Sequence, residues 1–337
     1  MAEQRGYGKR ITIYDLATIA GASPTAVSSV LNGTWKKRRI GAALAERITR
    51  IAEEQGYALN MQASALRREK SHLIGMLVPK YDNRYFGSIV ESFEAMARDR
   101  GLFPIITCTQ RNAELEIQAA RAMISHQVEC LVATGATDPD RITEICTAAG
   151  VRSLNLDLPG KLAPSVISDN RGGAFAVTKR VLSASEGIRA PDQPLLYIGG
   201  RPDHNTAERI RGFRDAHCEA GIDIDEALIL ATGYSPERAE QALHTLAGQR
   251  GTLPGAMFVS STISLEGVMR WIKTSGHFGD FAPHIGCFDW DPLASILTEN
   301  IIMLRQDVPT MLNELFQLID AEPTEPHLIE VPTIFAR

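Results

Sequence analysis

The apolar positions of this chain follow two rhythms, and the change falls near residue 70. Before it, apolar residues recur at helical spacing. Ile13, Leu16, Ala17 and Ala20 share one face, Val27, Val30 and Leu31 a second, and Leu44, Ile48 and Ile51 the inner stripe of a third helix over residues 42–55. The punctuation agrees with this. Thr12 stands at an N-cap, with Asp15 in capping-box spacing. Gly21 supplies a left-handed residue to end the first helix. Ser23 caps the second, Pro24 sits in its first turn where a missing N–H costs nothing, and Asn32-Gly33 closes it. Two short helices joined by a tight glycine-bearing turn form the helix-turn-helix pattern, whose second helix enters the major groove of DNA.

After residue 70 short apolar runs alternate with amphipathic helical stretches. Strand-like runs occupy 72–79, 102–109, 129–134, 152–157, 164–169, 194–200, 227–232, 255–261, 284–289 and 300–307. Between them lie helical patterns such as Ile89, Val90, Phe93, Met96 and Ala97, or Ala174, Val177 and Val181. This alternation predicts parallel sheets covered on both faces. The number of runs, and a second series that restarts near residue 160, favour two doubly wound sheets over a closed eight-stranded barrel. The expected fold is therefore α/β: an all-α helix-turn-helix head followed by two doubly wound parallel-sheet lobes.

Composition narrows the classes. A chain of 337 residues buries enough apolar surface to fold without disulfides or metals. No apolar run approaches the roughly 20 residues of a membrane span, and the basic N-terminus lacks the apolar core of a signal peptide. Cys108, Cys130, Cys146, Cys218 and Cys287 are scattered and odd in number, which fits free buried thiols in a reducing cytoplasm. Charge is split: residues 1–70 carry 12 Lys/Arg against 6 Asp/Glu, and residues 71–337 carry 23 against 34. A basic head on an acidic body suits a module that meets a polyanion, although charge alone fits a solvated tail as well.

The second helix presents Thr25, Ser28 and Ser29 on its expected outward face, short hydroxyls able to reach phosphates or base edges. Lys36, Lys37, Arg38 and Arg39 in the following loop are expected to grip the phosphate backbone. Trp35 is open between packing on the module and resting on a sugar. Residues 57–70 form a tether. Met61 to Leu66 is too short for an isolated helix and is expected to order on DNA, with Leu66 wedging a minor groove; an ordinary linker is the plain alternative.

Ligands of open parallel sheets sit beyond the carboxyl ends of the strands. Tyr81, Asp82, Asn83, Tyr85 and Phe86 follow the first strand, Asp157 ends the fourth, Arg209 lies in the helix after LLYIGG, Ser260 and Ser261 end the eighth, and Asp289 with Trp290 end the ninth. Two carboxylates and a guanidinium make paired, planar hydrogen bonds to neighbouring hydroxyls, and an aromatic face covers the apolar side of a sugar ring. Asp157 and Asp289 have no nucleophile or positioned histidine beside them, and the phosphate-loop, dinucleotide, zinc-protease and serine-hydrolase motifs are missing from the sequence. His277, His284 and Cys287 are expected to be core or surface residues rather than a metal site.

The segment TIYDLATIAGASPTAVSSVLNG, followed by EQGYALNMQASALR, resembles the head and hinge of the lactose-repressor family of bacterial transcription regulators, and the resemblance runs along nearly the whole chain. It implies that Thr25, Ser28, Ser29, Asn32 and Arg39 are major-groove and phosphate contacts. It places Thr12, Tyr14, Ser23 and Asn60 on the DNA backbone, Pro24 at a position many members use for base reading, and Ala63 with Leu66 in the minor groove. It implies two lobes facing across a cleft, linked by three crossings, as in periplasmic sugar-binding proteins. Arg209 and Asp289 match the strongest effector contacts and Asp157 a supporting one. There are departures: the loop 33–40 is longer than the family norm, Ser29 replaces a common Arg, Gly41 replaces a capping Ser or Thr, and Ser260-Ser261-Thr262 stands where many relatives have Asn-Asp. The loop, LLYIGG and SLEGVMR look most like the fructose-repressor branch.

The expected organisation is a DNA-binding domain over 10–58, a hinge over 59–70 and an effector and dimerisation core over 71–337. Its lobes are expected to be 71–161 with 292–320, and 162–291 with 321–337. The expected function is a cytoplasmic transcriptional regulator, a repressor, not an enzyme and without cofactor. It binds a pseudo-palindromic operator as a homodimer, has no membrane partner, and is controlled by a small sugar or sugar phosphate. A corepressor-type regulator and a sugar-acting enzyme are the alternatives; a sugar-binding receptor is disfavoured by the basic head and the lack of an export signal.

Overall fold

The computed structural model describes residues 11–57, 71–251, 253–275, 283–297, 301–323 and 325–336. The chain divides into two compact units, Met1–Ser71 and His72–Arg337.

The head holds α1 (Ile13–Ala20), α2 (Pro24–Leu31) and α3 (Ala42–Glu54). Its caps follow the local chemistry. The Thr12 hydroxyl accepts from the Asp15 N–H at 3.3 Å, and the Asp15 carboxylate accepts from the Thr12 N–H at 2.8 Å. Gly21 ends α1 at φ 60°, where an L side chain is disfavoured. Ser23 Oγ accepts from the Ala26 N–H at 3.1 Å, and Pro24 opens α2. Gly41 begins α3 without a side-chain cap. Leu16, Ala17, Ala20, Val27, Val30, Ala45, Ile48 and Ala52 form the core, with Trp35 and Tyr57 packed against it. Trp35 is thus a packing residue of the module.

The second unit contains two six-stranded sheets. In chain order its elements are β1 (Leu73–Val78), α4 (Arg84–Asp99), β2 (Phe103–Cys108), α5 (Ala113–Ser125), β3 (Cys130–Thr134), α6 (Pro139–Ala148), β4 (Arg152–Leu156) and β5 (Ser165–Ser168). There follow α7 (Asn170–Ala184), β6 (Leu196–Ile198), α8 (His204–Glu219), β7 (Ile229–Leu230), α9 (Pro236–Arg250), β8 (Ala256–Val259), α10 (Thr262–Thr274) and β9 (His284–Phe288). The last are α11 (Pro292–Leu297), β10 (Ile301–Arg305), α12 (Val308–Ala321), β11 (Leu328–Val331) and β12 (Ile334–Phe335).

The first sheet has the order β11-β5-β4-β3-β1-β2, all parallel. The second repeats that order as β12-β10-β9-β8-β6-β7, parallel except for the antiparallel edge strand β12. Central strands such as β3 and β8 are buried at every residue, so they read as unbroken apolar runs. Helices cover both faces of each sheet. In the first lobe, Ile89, Phe93, Met311, Leu315 and Phe316 lie on one side, and Ala120, Met123, Ile142 and Cys146 on the other. In the second lobe, α7 and α8 lie close together: a Cβ at Gly212 would come 2.1 Å from the Arg171 carbonyl oxygen, so only glycine permits that approach.

Every expected strand run contains a strand, but β11 and β12 fall outside the expected runs. β11 is an edge strand whose Leu328 is exposed and whose only fully buried residue is Val331, so it lacks an apolar run. The lobe boundaries also differ from expectation. The chain crosses between the sheets after β5, after β10 and after β11. Thus β5 belongs to the first lobe, β10 to the second, and β11 again to the first, whereas the sequence division put each in the other lobe. Which sheet a strand joins is decided by its parallel neighbour, β4 for β5 and β9 for β10, and not by its own composition. Of the cysteines, Cys130, Cys146 and Cys287 are buried and Cys108 is half-buried, but Cys218 is exposed on α8, contrary to the expected burial. Among the described residues no helix is long and apolar enough to cross a membrane.

Candidate functional site

On the head, Thr25 is exposed and Ser28 half-buried. Ser29 is the correction. It is buried, and its hydroxyl donates to the Thr25 carbonyl at 2.8 Å. The loop after α2 folds back over it: the Thr34 N–H donates to the Ser29 carbonyl at 2.9 Å and the Thr34 hydroxyl at 3.2 Å. Ser29 therefore spends its hydroxyl on the helix backbone and does not face outward. Asn32 Nδ2 donates to the Ser28 carbonyl at 2.7 Å and to its hydroxyl at 3.2 Å, closing the end of α2. Lys36, Lys37, Arg38 and Arg39 are all exposed, with the Lys36 ammonium 5.5 Å above the Trp35 ring. Tyr14, Ser23 and Pro24 line one open surface groove with Thr18 and Gly21. Thr12 is exposed, its hydroxyl engaged in the cap. Asn60, Ala63, Leu66 and the expected hinge lie outside the described residues.

In the core, the carboxyl ends of both sheets border a narrow cleft lined by Tyr85, Phe86, Asp157, Arg209 and Asp289, together with Asn83, Arg111, Asp203, Asn205, Tyr234 and Gln306. Asn83 caps α4 by accepting from the N–H groups of Tyr85 and Phe86 at 3.0 and 3.3 Å, and so aims both rings. The Tyr85 hydroxyl donates to Asp157 Oδ1 at 3.1 Å. Across the cleft, Asn205 Nδ2 donates to the Asp157 carbonyl at 3.0 Å. Gln306 Nε2 donates to Asp289 Oδ1. Arg209 is held on three sides: Nε donates to Asn170 Oδ1 at 2.8 Å, Nη1 donates to the Ser260 carbonyl at 2.6 Å, and the guanidinium lies 3.7 Å over the Phe288 ring. A guanidinium has five N–H donors, so an edge remains for a ligand.

Both carboxylates sit on left-handed backbone, at φ 73° for Asp157 and 97° for Asp289, a strained conformation that proteins keep mainly at functional sites. Burial raises the Asp157 carboxyl, opposed by Arg111 and Arg209. Burial likewise pushes Asp289 up to about 6, opposed by Arg209 and by the Gln306 hydrogen bond. Burial and the adjacent Asp157 raise the Tyr85 phenol well above its ordinary value, so it stays a donor. The set amounts to fixed donors and acceptors around a small polar space, with no group poised as a nucleophile.

Ser261 also lines the cleft, and the remaining expected contacts stand apart from it. Tyr81 and Asp82 are exposed: the Tyr81 hydroxyl reaches the Ile106 carbonyl at 3.5 Å, and Asp82 pairs with Lys80 at 3.8 Å. They precede the Asn83 cap, and only residues after it are turned inward. Trp290 is half-buried against the apolar core of the second lobe. Ser260 is buried and supports Arg209 through its carbonyl, while its hydroxyl accepts from Tyr197 at 3.2 Å. Arg111, Tyr234, Asn205 and Gln306 escaped the sequence reading. Arg111, Tyr234 and Gln306 follow β2, β7 and β10, so the strand-end rule reaches them; Asn205, inside α8, carries no such signal.

The second unit matches the family model of the periplasmic binding protein domain over residues 74–297. The chain is 65% identical over 193 residues to a ribitol operon repressor of Klebsiella aerogenes, covering 57% of this chain and 72% of that one. It is 30% identical over 327 residues to a sucrose operon repressor of Klebsiella pneumoniae, covering 94% and 95%. In fold it matches the lac repressor dimer bound to operator and the anti-inducer ONPF, with TM-score 0.81 and 21% identity over 98% of both chains. A helix-turn-helix head, two periplasmic-binding-type lobes and repressor relatives along the whole chain lead to one conclusion: this protein belongs to the lactose-repressor family of bacterial transcription regulators.

Proposed function

We propose that this regulator represses an operon for the uptake or breakdown of a five-carbon sugar or sugar alcohol, and that the compound or a close derivative is its effector. The observation that carries the reading is the convergence of Asp157, Arg209 and Asp289 from both lobes on one small cleft. Ligand hydroxyls donate to the two carboxylates and accept from Arg209, and Tyr85 and Phe86 cover the carbon skeleton. The high likeness to a ribitol operon repressor supports a ribitol-type effector over a fructose-type one.

In this reading Thr25, Ser28 and Asn32 read the major groove with Pro24 at a base-reading position, Thr12, Tyr14 and Ser23 lie along the DNA backbone, and the run Lys36–Arg39 grips phosphates. Asn60, Ala63 and Leu66 serve as hinge contacts. Two copies pair on a pseudo-palindromic operator in the cytoplasm. Effector binding draws the lobes together about the three crossings, and its affinity and that for DNA are coupled by the same factor in both directions.

The test is a thermal-shift screen of the purified protein against pentoses, pentuloses, pentitols and their phosphates, followed by operator binding with and without each hit. A hit that releases operator DNA supports an inducer, and one that tightens binding supports a corepressor. Turnover of any hit by the protein would move the reading to an enzyme.

A further inference from the structure

One charged group in the cleft has a buried donor that the protein leaves unused. Arg111 follows β2 on left-handed backbone, φ 56°, directly after Gln110 at φ 54°. Its guanidinium lies between two rings, 5.5 Å from Phe86 of the first lobe and 4.7 Å from Tyr234 of the second. Its Nε is buried and meets no hydrogen-bond acceptor. Native structures rarely leave such a donor unmatched: a ligand, a water or an ion meets it. Burial and the nearby Arg201 lower the pKa of Arg111, so its charge is held there at a cost. Arg111 is also the foremost charge opposing the burial that raises the Asp157 carboxyl, although no direct ion pair between the two occurs among the described residues.

The charges of the cleft are balanced. Asp203 is matched by Arg201 at 2.7 Å, which leaves Arg111 and Arg209 against Asp157 and Asp289. A phosphorylated guest would add between one and two negative charges to a site that already holds as many carboxylates as guanidiniums. An oxygen placed between Arg111 and Asp157 must accept from the first and donate to the second. A hydroxyl does both, whereas a carbonyl or an ionised phosphate oxygen only accepts.

We propose that Arg111 is a specificity-determining residue for the effector: its Nε–H and the Asp157 carboxylate together hold one hydroxyl of an uncharged sugar or sugar alcohol. This rests on the cleft being the effector site. Because the guanidinium is stacked on Tyr234 of the opposite lobe, recognition of that hydroxyl is joined to closure.

The test uses the full chain and two variants, Arg111→Lys and Arg111→Met, titrated calorimetrically with ribitol, D-arabinitol, xylitol, D-ribulose and ribitol 5-phosphate. Wild type is expected to bind at least one uncharged probe and to reject the phosphate. Both variants are expected to weaken that binding by roughly ten- to a hundredfold, the loss of one hydrogen bond from a charged donor. Lysine fails with methionine because it keeps the charge but not a donor in the plane of the fork. The ranking of the three pentitols, which differ only in hydroxyl configuration, is expected to flatten. Wild-type affinity and ranking in Arg111→Lys would overturn the assignment, as would a ligand-free melting point for that variant far below wild type, which marks a structural cation. Wild-type binding of the phosphate alone also overturns it. Wild type that binds none of the five probes removes the sugar-site reading itself, and the assignment with it.

Discussion

Asp157 and Asp289 hold the same station in the two lobes: each directly follows the third strand from the outer edge of its sheet, β4 or β9, and each has left-handed backbone, at φ 73° and 97°. The space around Asp157 is kept by Gly135, where a Cβ would come 3.1 Å from Asp157 Oδ2. Asparagine tolerates this backbone but cannot act as an anionic acceptor. Asp157→Asn and Asp289→Asn should each weaken effector binding roughly ten- to a hundredfold while leaving operator affinity intact. Valine at either position should also cost about 1–3 kcal/mol in a urea melt, because a β-branched residue resists positive φ. Equal urea midpoints for the valine and asparagine variants would show the strain to be unimportant.

The elevated Asp289 carboxyl gives a pH signature with two opposite signs. Its folded value of about 6 lies above the ordinary 3.8, so the folded ligand-free protein holds the proton more tightly. That contribution to stability is complete below about pH 4 and is lost as pH rises through about 6. Effector hydroxyls need the ionised acceptor, so effector affinity should instead rise over the same window. Titrations at pH 5, 6 and 7.5 check this, with Asp289→Asn expected to flatten the profile. An effector affinity that does not vary between pH 5 and 7.5 in the wild type contradicts the role given to Asp289.

Arg209→Ala should abolish the effector response and spare operator binding. Its loss leaves the Asn170 side-chain oxygen and the Ser260 carbonyl short of a donor, so the core should also lose about 2 kcal/mol. Gel-shift titration with and without the effector, beside a thermal melt, separates the two effects. A variant still released from operator by wild-type amounts of effector would show that the cleft is not the sensor.

Replacing Lys36, Lys37, Arg38 and Arg39 by glutamine should weaken binding to all duplexes alike. These side chains are exposed on a loop, where their work is electrostatic. The slope of log affinity against log salt should fall by roughly 0.9 for each phosphate that is no longer neutralised. A slope that stays at the wild-type value would mean the run is merely solvated.

Much of this protein is written in short-range pattern. Thr12 with Asp15, Gly21, Ser23 and Pro24 specify their helix ends through partners within four residues, and the strand runs announce themselves because both faces of a parallel sheet are buried. The strand-end rule then reached Asp157, Arg209 and Asp289, and the family resemblance picked out the same three. The tertiary structure decided what depends on distant neighbours. Ser29 is inside because the loop carrying Thr34 folds over it. Strands β5, β10 and β11 change lobes because their pairing partners, not their side chains, choose the sheet. Arg111 and Tyr234 are 123 positions apart and meet only once both lobes have formed around the cleft. Local sequence specifies caps and periodicity, since those bonds close within a turn. Contacts across lobes are set by packing of the whole chain, which no short window contains.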